Sequence, residues 1–138
     1  MKNLWLPESA EEYIAFIESF GHTDKDYLRA HFARFVGTFE KFSQGWNRDG
    51  DAVVMDIGAH WLHQSLLFAK NGFSVIAADF PATMDQPVVR SLSERFDINL
   101  LSYNEIHSGE AFAQVPDNSV DILLFTEILE HITFNPVE

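Results

Sequence analysis

Four short apolar runs, at residues 52–57, 74–79, 98–103 and 120–125, alternate along this chain with stretches of helical periodicity. That alternation limits the fold more than any other feature. A short apolar run without polar alternation suits a strand covered on both faces. Strands separated by helices and short loops imply a parallel sheet with right-handed crossovers. The expected fold is therefore α/β and Rossmann-like, with a mostly parallel sheet and helices on both faces.

Two helices precede the first strand. Ser9 followed by Glu12 has the capping-box pattern, and Tyr13, Ile14, Ile17 and Phe20 then recur at helical spacing. Gly21 ends that helix, and Thr23 or Asp24 caps a second running to about Phe42. Its apolar face is Leu28, Phe32, Phe35, Val36 and Phe39, which suits packing on the domain, a lid over a ligand, or both. A polar, glycine-bearing loop at 44–51 separates these helices from the first strand. The chain thus divides into a helical cap, 1–46, and a core, 47–138. Within the core, helices are expected at 62–70, at 84–96, briefly at 108–114, and from Glu127 onward.

Composition narrows the partners. Hydrophobic residues make up 46% of the 138, enough for a core. A formal net charge of −12 argues against nucleic-acid phosphates as the main partner. With no cysteine, disulfides, thiolate metal sites and cysteine nucleophiles are all excluded. The apolar runs fall far short of the roughly 18 residues that span a bilayer. The expectation is a cytoplasmic protein that binds neither nucleic acid nor membrane.

Ligands in such sheets bind beyond the carboxyl ends of the strands, where strand order reverses. Acids mark those ends: Asp56, Asp79 and Glu127. Asp79 closes the second strand about 20 residues after Gly58, the spacing of an acid that accepts hydrogen bonds from ribose hydroxyls. Gly58 permits a tight turn and a close ligand approach. Asp56, inside an apolar strand, is costly unless paired. An acid there disfavours a pyrophosphate and favours a cationic ligand.

Three segments in this order, Val53-Val54-Met55-Asp56-Ile57-Gly58-Ala59, Ser74 to Asp79, and Val120 to His131, resemble the class I S-adenosylmethionine-dependent methyltransferases. The resemblance covers about residues 52–138. It implies that Asp56, Gly58 and Ala59 face the amino-acid arm of S-adenosylmethionine and that Asp79 holds the ribose. It also implies Phe80 and Asn104 beside the adenine, with Thr126 and Glu127 on the methyl-transfer face. The implied reaction is in-line attack by a substrate oxygen, nitrogen or carbon on the sulfonium methyl, with His131 as a base, on a small molecule or a sugar. Arg34 either reaches the ligand's carboxylate or lies on the surface.

The pattern departs from the family in two places. His60 and Leu62 stand where such turns carry further glycines. Side chains there either crowd the ligand or, as at His60, supply a contact of their own. The family sheet also has three more strands, so the core reads as incomplete. A homodimer pairing its fourth strands is the other way to cover that edge.

Glu127, Glu130 and His131 share a helix face. They suit a divalent cation, an acid/base role for His131, or ordinary helix-start acids with a packed histidine. No metal is assigned. His60 and His63 are expected in the turn and on the surface. Two rival functions stand beside methyl transfer: a nicotinamide-dependent oxidoreductase, and a non-catalytic binding module with a degenerate cofactor site.

Overall fold

A computed structural model describes residues 3–47, 51–126 and 128. The first helix, α1 (Ala10–Glu18), starts at Ser9, whose side chain accepts from the Glu12 N–H. Glu12 reaches back to the Glu8 N–H, one residue before the position that a capping box uses. The second helix, α2 (Lys25–Gly45), is capped by Asp24 rather than Thr23, and it runs three residues past Phe42.

The core elements follow as β1 (Val53–Ile57), α3 (His63–Lys70), β2 (Ser74–Asp79), α4 (Pro81–Met84), α5 (Pro87–Phe96), β3 (Asn99–Ser102), a 3-10 turn (Ile106–Ser108), α6 (Glu110–Ala113) and β4 (Ile122–Leu124). The single helix expected over 84–96 is divided. Pro87 drives Gln86 into extended backbone, with ψ 137°, which breaks the helix before it. Residues 81–84 then form a separate turn of helix on Pro81.

All strand pairings are parallel, in the order β3-β2-β1-β4. β1 is central, with Asp56 opposite Ala77 on one side and Leu124 on the other. Side chains alternate across the sheet. Val54, Val75, Ala77 and Leu124 join a large cluster with Leu66, Leu67 and Phe68 of α3, Phe35 and Phe39 of α2, and Tyr13 and Ile17 of α1. Met55, Ile57 and Ala78 face the other way, into a smaller cluster with Tyr103 and Ala111. One face therefore lies under α1, α2, α3, α4 and α5, while among the described residues the 3-10 turn and α6 are the helical elements that reach the other. Leu123 on that thinner side is 51% exposed.

The N-terminal segment is tied to the core at the end of α3. The Trp5 N–H donates to Asn71 Oδ1 at 2.7 Å, and Asn71 Nδ2 donates to the Trp5 carbonyl at 2.9 Å. Lys70 Nζ lies 4.5 Å from the Trp5 ring, 4.6 Å from Phe16 and 5.2 Å from Phe96. Such cation–ring contacts join α1, α3 and α5 at one point. Among the described residues, no helix is long and apolar enough to cross a membrane.

Candidate functional site

The site forms where β1 and β2 end side by side and α2 passes in front of them. Gly58 leaves β1 with φ 75°, in the left-handed region that favours glycine. His60 and Leu62 occupy the same region, with φ 50° and 70°. The turn thus carries two bulky side chains in backbone that glycine normally takes. Such residues cost about 1–2 kcal/mol of steric strain each, so packing must hold them. Leu62 is fully buried in the main cluster, and the His60 ring packs against Tyr27 of α2 at 4.3 Å.

The turn's amides point inward. Gly58 N–H and Ala59 N–H both donate to the Ala78 carbonyl, at 2.8 and 3.1 Å. The Leu62 N–H donates to the Ala59 carbonyl at 2.9 Å, and the His60 N–H to Asp79 Oδ2 at 2.8 Å. A loop that cradles a diphosphate turns its amides toward the ligand instead.

Asp79 accepts a second bond at Oδ1 from the Phe80 N–H, at 2.7 Å. One backbone donor on each oxygen fixes the carboxylate plane and leaves further lone pairs for a ligand. Phe80, next in the chain, is 51% exposed and lies 5.3 Å from the Tyr103 ring. Burial, with Asp79 and Asp56 nearby, pushes the Tyr103 hydroxyl up to about 12. Asn104 follows on an exposed loop, where its N–H and its Nδ2 both donate to the Glu110 carboxylate.

Asp56 lies on the helix side of β1, and Ser65 Oγ of α3 donates to its Oδ2 at 2.7 Å. Burial raises its pKa to about 7, and Asp79 adds to the rise. Ser65 and Arg34 oppose it. A narrow cleft with a cavity volume of about 20 Å³ is lined by Asp56, Gly58, Ala59, His60 and Thr126. It is lined also by Tyr27, Arg34 and Phe35 of α2 and by His63 and Gln64 of α3.

Arg34 is therefore part of the cleft, with a guanidinium nitrogen 3.3 Å from the Tyr27 hydroxyl. His63 corrects the expectation of a surface histidine. It is 1% exposed, and its Nε2 lies 3.0 Å from Thr23 Oγ1. Burial, with His60 beside it and Asp24 opposing, lowers its pKa to about 3, so the ring is neutral. His63 sits in the first turn of α3, and that turn is covered by α2.

Asp56, Gly58, Ala59, His60 and Thr126 come together in the cleft, and the His60 N–H links it to Asp79. Phe80 and Asn104 lie beyond Asp79, along the ends of β2 and β3. Glu127, Glu130 and His131 fall outside the described residues, so their three readings stand as expectations. Among the described residues, no three histidine or acidic side chains converge as a metal ligand set. Tyr27 and Ser65 carry no mark in the sequence, and His63 is expected at the surface rather than in the site. The Asp24 cap fixes the phase of α2 and so puts Tyr27, Arg34 and Phe35 near one another, but nothing local says what they face.

No protein-family model matches the sequence, and no curated protein does.

Proposed function

We propose that the chain binds S-adenosylmethionine as a class I methyltransferase acting on a small molecule or sugar. The observation that carries this reading is the pair of carboxylates, Asp56 and Asp79, flanking a turn whose amides are already used within the protein. A dinucleotide's pyrophosphate would meet two acids and few free donors, which disfavours the oxidoreductase reading. A ligand with a positive charge and a ribose diol finds partners at both acids. The left-handed backbone at His60 and Leu62 further supports a working turn over a degenerate one.

The fit of the ligand's parts follows from the donor set. Asp79 would accept from the two ribose hydroxyls, and the open face of Phe80 would stack on adenine. The cleft would take the amino-acid arm, with Arg34 toward its carboxylate and Asp56 toward its amino group. S-adenosylmethionine supplies an electrophilic methyl group on sulfur. The residues of the chain hold the reactants in line and exclude water, which is where such sites gain most of their rate. Thr126 lines the cleft and precedes Glu127 in the chain, and the acceptor would approach on this side. His131 would take the acceptor's proton.

Calorimetric titration of the full chain with S-adenosylmethionine, S-adenosylhomocysteine and NAD tests the reading. Micromolar binding of the first two, lost in Asp79→Ala and absent for NAD, is the expected result. Binding of NAD alone would overturn it. Binding without transfer of labelled methyl to any small-molecule or sugar acceptor would favour a non-catalytic module.

A further inference from the structure

The His60 N–H aims Asp79, and a glycine in that place would present the same N–H. What a glycine lacks is the ring. The imidazole of His60 lies 4.3 Å from the ring of Tyr27 and stacks on Trp61 at 5.8 Å with 15° between planes. Its Nε2 is 3.6 Å from Asp24 Oδ2. Asp24 is the residue that caps α2, through Oδ1 and the Tyr27 N–H at 3.1 Å. A single residue therefore spans from the start of α2 to the carboxylate that closes β2. Thr23 and His63 tie the start of α2 to the start of α3, just past the turn.

We infer that His60 is a positioning residue: its ring, clamped by Tyr27 and Trp61, holds the turn so that the His60 N–H orients Asp79 toward a vicinal diol. In this role it acts on the diol through the Asp79 carboxylate and not by a contact of its own ring. Ring packing offsets the strain of a histidine at φ 50°, and with the ring removed the turn relaxes into other conformations. Asp79 then keeps its own neighbour's amide, from Phe80, and loses the His60 donor on its second oxygen. The coupling is reciprocal, so a diol on Asp79 tightens the docking of α2. The inference rests on the nucleoside reading of the site, because the diol is taken to be a ribose.

The test compares adenosine with 2′,3′-dideoxyadenosine by NMR titration of the full chain. A purely structural role for the ring would weaken both ligands equally. The wild type should prefer adenosine by roughly tenfold, the size expected for hydrogen bonds to a charged group. His60→Gly, which tolerates positive φ without strain, should reduce that preference to about threefold or less at unchanged circular dichroism. His60→Phe, which keeps a ring at this position, should restore it. If His60→Gly does not fold, His60→Asn takes its place. It accepts left-handed backbone, has no ring, and should show the same loss. A folded ringless variant with the wild-type preference overturns the inference and leaves the nucleoside reading standing. A wild type that binds both equally also overturns the inference and leaves nucleoside binding standing, and one that binds neither overturns both.

Discussion

Ser65 Oγ on α3 donates to Asp56 Oδ2 on β1 at 2.7 Å, and both side chains are buried. The bond ties a helix to the central strand and gives a carboxylate under the sheet's helical layer a donor. Ser65→Ala would leave Asp56 without it. Losing one partner of a buried polar pair costs about 1–3 kcal/mol. Urea unfolding should show that loss, and Asp56→Asn combined with Ser65→Ala should cost less than Ser65→Ala alone. A Ser65→Ala protein with wild-type stability would contradict the pairing.

Asp56 and His63 give opposite pH dependences. The Asp56 pKa is raised from 3.8 in the unfolded chain to about 7. Its contribution to stability is complete below pH 3.8 and is lost as pH rises to about 7. The His63 pKa falls from 6.5 to about 3, so its contribution is complete above pH 6.5 and is lost as pH falls toward 3. The two slopes partly cancel between these limits. Asp56→Asn should therefore gain stability over the wild type as pH rises from 4.5 to 7, and His63→Gln should gain as pH falls over the same range. Denaturant unfolding across that range checks both, and differences that do not vary with pH would refute them.

Gly58 cannot take a side chain cheaply. A Cβ there would lie 1.9 Å from Ile128 Cδ1, and φ is already +75°. The Ile128 side chain can swing aside, but the backbone penalty of roughly 1–2 kcal/mol stays. Gly58→Ala should lower stability by about that amount and weaken S-adenosylhomocysteine binding at least tenfold. Unchanged affinity would separate this turn from the ligand site.

Leu62 and Asp97 share a left-handed backbone but differ in burial. Asp97 ends α5 at φ 54° and is exposed, so Asp97→Gly should raise stability by about 0.5–1 kcal/mol. Leu62 has φ 70° and 0% exposure, and truncating a buried leucine costs about 2–5 kcal/mol. Relief of strain at Leu62→Gly is smaller than that loss, so the variant should melt below the wild type. Thermal unfolding of the two variants should therefore shift in opposite directions.

The elements were readable because their signals are local. Ser9 caps α1 within three residues, and β2 ends at Asp79 as its apolar run does. Asn71 and Gly72 stop α3 where the sequence expects it. The division of 84–96 also rests on a local signal, Pro87 acting on Gln86, set against the helical periodicity of the segment.

The site was readable only along one strand end at a time. Asp56, Gly58 and Asp79 stand out because an acid or a glycine at the end of an apolar run has few other reasons to be there. Tyr27, Arg34 and His63 carry no such mark. They reach the cleft because α2 crosses α3, some 30 residues further along the chain, and periodicity does not encode that contact.

By itself, the sequence determined the alternation of strands with helical segments, the Ser9 cap of α1, and the acids at the strand ends, since hydrogen bonding within four residues and the burial pattern specify all three. Tertiary structure decided the rest. It holds His60 and Leu62 in backbone that glycine normally takes, turns the amides of that turn inward, and buries His63 as a neutral ring. Each of these depends on packing between segments distant in the chain, and packing energy offsets local strain only once those segments have met.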